Sequence, residues 1–327
     1  MLALKKILKI ILPTIVSLLI AAAMVYMFVN NYYTQSSLPI EPTTVIVKSG
    51  SSVKAIAEQL TENHVLKYPF LFTQIAKYTH QTNLKHGEYL FAPSSSPREL
   101  LRKLAAGEVV IRKFTIPEGK SSYDIIQILS AADGLTGNLP VEIEEGSVLP
   151  NTYFYQLKDT YADVVQKMRA DMKKKLAELW EKRDQSIPLK TPEEAVILAS
   201  IVEKETGASD ERGKVASVFI NRLNKGMRLE SDPTAVYGIT HGKPLGETVT
   251  RKHVQDENAY NTYKIDQLPP TPICAVGIEA LKAVLNPPDT DYFYFVADGK
   301  GGHNFAATLE EHNKNVQMYR EALKALK

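Results

Sequence analysis

Cysteine is nearly absent from this chain. Among 327 residues there is one, Cys274, which excludes an intramolecular disulfide framework and a cysteine-rich metal centre. A buried, inert thiol is the expectation for it. A surplus of one charge sign is also missing. Thirty-nine Lys and Arg against 37 Asp and Glu give a formal net charge of +2, so the clustered basic face of a nucleic-acid binder is not indicated. Other absences exclude enzyme classes. The run Gly299-Lys300-Gly301-Gly302-His303 lacks the Walker spacing of a phosphate loop. No Gly-x-Ser-x-Gly elbow of an α/β-hydrolase occurs. The seven histidines, His241, His253, His303 and His312 among them, show no His-Glu-x-x-His spacing. No metal and no cofactor is therefore expected. Internal repeats and low-complexity tracts are absent, and the composition, 44% apolar and 23% charged, is that of a globular protein with room for about two domains after a targeting segment.

What is present begins with an apolar run. Lys5, Lys6 and Lys9 precede an uncharged stretch over 10–29, and the next charge is Glu41. About twenty helical residues span ~30 Å, the hydrocarbon thickness of a bilayer. Basic residues before the span and none just after it place the N-terminus in the cytoplasm and the remainder outside it. A cleaved signal peptide is the rival, since Ala21-Ala22-Ala23 suits a peptidase. The run continues past those alanines, longer than a signal core, which favours an uncleaved anchor. The expected layout is a cytoplasmic tail over 1–9, a membrane helix over 10–30 and a polar linker over 31–43 that contains Ser36, Ser37, Pro39 and Pro42 and lifts the rest off the membrane.

Alternation predicts a strand over 44–48. The stripe Val53, Ile56, Ala57 and Leu60 predicts a helix capped by Ser51 or Ser52. A second helix over 68–79, a strand over 87–91, a helix over 96–106 with Pro97 in its first turn and a strand over 109–116 complete a small α+β module over 44–112. The fold class of the whole is α+β, with a second, mixed domain over 113–327. There, helices are expected over 121–131, 160–184, 191–206, 214–223 and about 308–326. A strand is expected over 292–296 and a loop-rich stretch over 226–250. Thr191, Pro192 and Glu194 mark the start of the third of these helices as a capping box, and Gly207 is expected to end it.

That helix contains an oddity. With Ile197 as zero on a wheel of about 100° per residue, Ile201 lies at ~40°, Leu198 at ~100° and Val202 at ~140°. Glu205 lies among them at ~80°, whereas Glu203 lies on the other side at ~240°. A carboxyl in apolar surroundings holds its proton, which is what a general acid needs. The bland alternative is a helix-end glutamate that bends out to solvent. Polar and aromatic clusters follow. They are Ser231-Asp232-Pro233-Thr234, Tyr260-Asn261-Thr262-Tyr263 and Gly302-His303-Asn304-Phe305. Amide, hydroxyl and aromatic groups together suit a sugar polymer with its hydroxyl edges and apolar ring faces. A simple turn and core-filling tyrosines explain the same residues.

In this order, ILASIVEKET, VASVFINRL, GMRLESDPTAVYG, YNTY and YFYFVADGKGGHNF resemble the endolytic murein transglycosylases of the YceG-like family, over roughly residue 110 to the C-terminus. The layout is also similar, with a short tail, one membrane helix, a LysM-like module (over 44–112, from TVIVKSGSSVKAIAEQL) and a catalytic domain (over 113–327). The resemblance implies cleavage of the β-1,4 bond between N-acetylmuramic acid and N-acetylglucosamine within a glycan strand, giving a 1,6-anhydro end. One carboxyl then serves as acid and as base, unlike the paired carboxylates of hydrolytic glycosidases. It also implies peptidoglycan strands, nascent ones near the membrane, as substrate, the inner membrane as location and cell-wall synthases as candidate partners. Of the two glutamates in the EKE core, the wheel favours Glu205 as acid/base. Glu203 becomes a supporting group paired with Arg222, and Ser231, Asp232, Tyr260, Asn261 and Asn304 become substrate-cleft residues. Two rivals stand beside this reading. A muramidase needs a second carboxylate ~6.5–9.5 Å from the first, for which Asp232 is the candidate, and a non-catalytic wall-binding scaffold would leave Glu205 without a role.

Overall fold

The computed structural model describes residues 2–35 and 38–325. Ser36 and Ser37 of the expected linker and Leu326 of the expected last helix lie outside the described residues. The chain divides into two compact units, 1–112 and 113–327.

The first unit opens with α1 (Leu2–Thr34). Within it, Ile11–Thr34 has a mean hydropathy of 2.3 with no residue of its apolar window buried, and among the described residues it is the one helix long and apolar enough to be a membrane span or a signal sequence. The linker expected over 31–43 needs correction. The helix continues through Thr34 because its last turn gains packing: Tyr32 and Tyr33 lie against the core of this unit. The Tyr32 hydroxyl donates to the Tyr68 carbonyl at 3.1 Å, and the two rings meet edge-on at 5.5 Å.

Beyond it, β1 (Thr43–Val47) pairs antiparallel with β2 (Gly87–Phe91), with Thr43 opposite Phe91 and Val47 opposite Gly87. Side chains alternate along a strand, so Val45, Val47, Tyr89 and Phe91 all point into the core. Three helices complete that core, α2 (Val53–Glu62), α3 (Pro69–Tyr78) and α4 (Pro97–Ala106), through Ile56, Leu60, Phe72, Leu100 and Leu104. Ser52 caps α2, accepting from the Ala55 N–H at 3.2 Å. Ser96 and Glu99 form a reciprocal capping box on α4. The strand expected over 109–116 is shorter and sits elsewhere. As β3 (Arg112–Thr115) it pairs with β4 (Thr152–Tyr155). Phe114 draws it there, packing 5.9 and 5.8 Å from the rings of Tyr153 and Tyr155. The sheet of the first unit therefore has two strands.

The second unit has two apolar cores. One joins β3 and β4 with α5 (Ser122–Ser130) and the first half of α6 (Tyr161–Trp180). The other surrounds α7 (Pro192–Glu205), packed by α8 (Arg212–Asn224) and by α11 (Ile278–Leu285). Every residue of α7 from Ala195 through Val202 is buried, so this helix has no solvent face in its middle. Cys274 is buried beside it, with its thiol 3.4 Å from the Ser200 carbonyl and pushed to a higher pKa by burial.

The stretch expected to be loop-rich contains α9 (Asp232–Thr240) and is followed by α10 (Arg251–Val254). Its breakers serve the helix. Pro233 occupies the first turn, and Gly238 is where Asn258 packs, so that a Cβ would meet the Asn258 Oδ1 at 1.9 Å. A hairpin of β5 (Tyr294–Ala297) and β6 (His303–Ala306) and a last helix, α12 (Leu309–Ala325), close the unit.

Candidate active site

The expected capping box on α7 forms by half. Thr191 accepts from the Glu194 N–H at 3.2 Å, but the Glu194 carboxylate takes the Lys190 N–H at 2.5 Å instead of that of Thr191. At the other end Glu205 is the last helical residue, and the chain leaves through Thr206 in extended conformation, one residue before Gly207. Glu205 thus stands at the negative end of the helix dipole, which disfavours a carboxylate.

Glu205 is partly exposed yet closely packed by protein. Ser231 Oγ donates to its Oε1 at 2.5 Å. The carboxyl is held above the usual range, first by burial and further by the charge of Asp232. The Ser231 hydrogen bond and a charge on His303 act in the opposite direction. Ser231 occupies the N-cap position of α9 but makes no capping bond, since its hydroxyl is turned to Glu205. A web of hydroxyls fixes it. The Ser231 N–H donates to Thr262 Oγ1 at 2.9 Å, Thr234 Oγ1 donates to the Ser231 carbonyl at 2.6 Å, and the Thr234 and Thr262 hydroxyls lie 2.8 Å apart. The preceding residue, Glu230, has φ 55°, a left-handed conformation that a non-glycine residue adopts at a cost and that often marks a functional turn.

Arg222 stabilises that turn. Its guanidinium donates to the carbonyls of Phe293 at 2.7 Å and of Arg228 and Leu229 at 3.0 Å each, and to Glu230 Oε2 at 3.0 Å. The expected Glu203–Arg222 pair is therefore corrected, because the guanidinium is already engaged by the 228–230 turn. Glu203 lies 3.6 Å from Arg212 and accepts the Gly277 N–H at 3.0 Å. The wheel is corrected as well. The Glu203 side chain is only 5% exposed, and burial raises its carboxyl too, assisted by Glu118 and opposed by Gly277 and Arg212. A helix buried all round gives phase no outside to assign. What separates the two glutamates is their company. Glu203 has a cation and a backbone donor, whereas Glu205 has a hydroxyl and no salt bridge among the described residues.

The other expected cleft residues divide. Asp232 stands beside Glu205 and accepts from the Tyr263 hydroxyl at 2.9 Å. Tyr260 lies farther along, its ring 4.9 Å from that of Tyr237 and 6.1 Å from that of His241. With Tyr123 and Glu145 these three rings line a cavity of about 870 Å³. A second cavity of about 320 Å³ runs along Lys204, Asp232 and Pro233, and Tyr237 and Lys243 line both. Asn261 does not belong to the cleft. It is fully buried, its amide donates to the carbonyls of Val254 and Asp256, and its oxygen accepts the Tyr263 N–H, so it builds the loop. Asn304 is half-buried on β6 opposite Val296.

Two further residues join this region, Glu211, which carries no motif, and His303 of the Gly302–Phe305 cluster. Glu211, just before α8, accepts the His303 N–H at 2.8 Å and lies 2.7 Å from His303 Nδ1. The signal that could have found them is Gly302, where a Cβ would lie 2.7 Å from Glu211 Oε1. A glycine pair before a histidine fits such a close approach. Among the described residues no group of His, Cys, Asp or Glu converges to hold a metal ion.

The YceG-like family matches over residues 45–318. An endolytic murein transglycosylase of Bacillus subtilis 168 is 30% identical over 304 residues, covering 84% of this chain and 83% of that protein. One from Streptococcus pneumoniae R6 is 30% identical over 342 residues, covering 88% of this chain, which spans 61% of the relative's length. The crystal structure of a YceG-like protein from Listeria monocytogenes superposes with a TM-score of 0.53 at 30% identity, covering 84% of this chain and 98% of that one. Sequence and architecture together show that the chain belongs to the YceG-like family.

Proposed function

We propose that this protein is an endolytic murein transglycosylase, a lyase that cuts peptidoglycan glycan strands, with Glu205 as its one acid/base. The observation that carries the assignment is a carboxyl enclosed at the end of α7, bonded by Ser231 and without a salt bridge among the described residues, whose burial raises its pKa. In its protonated form Glu205 delivers a proton to the oxygen leaving the muramyl anomeric carbon. As carboxylate it then takes the proton of the C6 hydroxyl, which attacks that carbon. Bonds balance without water, and the product carries a 1,6-anhydro ring. Ser231 keeps the carboxyl aimed, and Arg222 supports the turn that presents Ser231. The strip from Asp232 past Tyr237 to Tyr260 offers hydroxyls and ring faces for neighbouring sugars.

The reading extends to location. As an uncleaved anchor, α1 would put Lys5, Lys6 and Lys9 on the cytoplasmic side, and the part over 44–112 would serve as a LysM-like wall-binding module close to the helix end. That suits strands still near the membrane and the synthases that make them. One observation favours a second reading. Asp232 is near enough to act on Glu205, so it is the group that would activate water in a hydrolase.

The full chain acting on intact glycan strands, with products weighed by mass spectrometry, tests both. Anhydro ends are expected, and ends one water heavier would favour hydrolysis. Glu205→Gln is expected to fold and to yield no cleavage, and full activity in that variant would sink the assignment.

A further inference from the structure

The cavity of about 870 Å³ is lined by groups that neutral sugars leave unused. It is joined to the acid site by shared walls. Tyr237 and Lys243 line both it and the smaller cavity along Asp232, the residue after Ser231. Three of its rings, Tyr237, His241 and Tyr260, meet edge-on in every pair, at 4.9, 5.9 and 6.1 Å. Four carboxyls line it as well, those of Glu142, Glu144, Glu145 and Glu193. Gly146 brings them together. Its φ of 70° and bare Cα let the 142–146 segment press on α7, where a Cβ would lie 2.7 Å from Pro272 and 2.8 Å from Val196. Glu193 stands in the first turn of that helix. Lys173 and Lys243 also line the cavity, and among the described residues no salt bridge joins either of them to these carboxyls. Glu145 is held at one oxygen only. Its Oε1 accepts the Ser122 N–H at 2.9 Å and the Tyr237 hydroxyl at 3.5 Å. Its Oε2 and the Ser122 Oγ are buried without a hydrogen-bond partner among the described residues. Buried polar atoms left unpaired are costly and rare.

We propose that this cavity binds a primary ammonium, the one carried by the peptide substituents of a murein strand whose sugars lie at Glu205. The inference rests on the strand being the substrate. N-acetylated sugars are neutral and need no carboxyl. An ammonium is drawn both to aromatic rings and to negative charge, and this wall offers the two together, with four carboxyls against two lysines. Glu145 is the centre of the site, since it reaches the ring of Tyr237 on one side and leaves Oε2 unpaired on the other. Burial raises its carboxyl, and a cation beside it favours the charged form. Acylation of the amine removes the charge, so the cavity separates strands with free amines from strands without. The competing role is structural, with Glu145 merely holding the start of α5 through the Ser122 N–H.

The experiment gives the full chain in detergent two preparations of the same strands, one with free peptide amines and one with those amines acetylated. The kcat/KM is read on each. Calorimetry measures Kd for a disaccharide-peptide in the same two forms, which requires no cleavage. Free-amine strands are expected to be cut about tenfold more efficiently, through KM rather than kcat. The free-amine fragment should bind about tenfold tighter, the scale of one partly desolvated cation contact. In Glu145→Gln, whose amide oxygen can still accept the Ser122 N–H, both ratios fall toward one. Glu193→Gln, on the exposed start of α7, lowers them by less and decides the matter if Glu145→Gln does not fold. Ratios of one in the unaltered protein overturn the proposal. Ratios unchanged in a folded Glu145→Gln do so too, and leave that residue its structural role. Equal cleavage and equal binding of the two forms remove the ammonium site but keep the lyase. Tighter binding of the free amine with no cleavage of either strand removes the lyase reading and keeps the site.

Discussion

Helices α4 and α7 start alike and end in opposite situations. Each begins with a hydroxyl cap, a proline and a glutamate at the third helical position: Ser96, Pro97 and Glu99 in the first unit, Thr191, Pro192 and Glu194 in the second. Helix α4 then lays one face on its core, burying Leu100, Leu101 and Leu104 and leaving Arg98, Glu99 and Arg102 in water. Helix α7 is enclosed on all sides from Ala195 to Val202. Periodicity sorts inside from outside only where a helix has an outside. In α4 the sorting is complete, while in α7 two glutamates on opposite sides of the wheel are both enclosed. Their difference comes from neighbours far away in sequence, Arg212 and Gly277 for one and Ser231 for the other.

Substitutions sharpen this contrast, beginning with the largest effect. Leu198→Ala, at the fully buried centre of α7, is expected to cost about 2–5 kcal/mol, because a cavity there has packed protein on every side. Arg98→Ala on the exposed face of α4 should stay within about 0.5 kcal/mol. Denaturant unfolding measures both, and equal values would deny that the helices differ in enclosure. Next comes pH. The Glu205 carboxyl is raised in the folded protein, so the folded state binds more protons than the unfolded state between the ordinary carboxylate range and the raised value. Stability from this group is full at low pH and is lost as pH rises through that window. Glu205→Gln should therefore be more stable than the unaltered protein at neutral pH, with the gap closing on acidification. Thermal midpoints across pH check this, and a gap that widens toward acid would refute it. The Glu203 carboxyl is raised by burial too, so the same linkage holds for Glu203→Gln, set against the loss of Arg212's counter-charge. Modest effects are expected at the caps. Ser96→Ala should cost about 1 kcal/mol, and Thr191→Ala the same or less, because only one half of its box is formed.

The first unit was largely legible in the sequence. The strand over 87–91, the Ser52 cap and the α4 box follow from period and capping chemistry, which are local. The end of α1 was not, because Tyr32 is recruited by Tyr68, 36 residues away. In the second unit the expected helices and the strand over 292–296 return to within a few residues, whereas α10, α11 and β6 were not read from the sequence, nor was α9, whose Pro233 and Gly238 read as breakers while serving the first helical turn and a close contact. The site was legible in part. Glu205, Ser231 and Asp232 come together, but Arg222 serves the Ser231 turn, Asn261 serves its own loop, and nothing in the sequence announced Glu211 as the partner of His303. Such long-range partners depend on tertiary packing, which periodicity does not carry.

The central claim is that of two enclosed glutamates on one helix, Glu205 is the one that delivers the proton. The most direct test compares Glu205→Gln and Glu203→Gln on intact glycan strands, counting anhydro-ended fragments by mass spectrometry, with folding verified by circular dichroism. The account predicts no such fragments from Glu205→Gln and measurable cleavage by Glu203→Gln. Cleavage by Glu205→Gln together with a folded but inactive Glu203→Gln would contradict it.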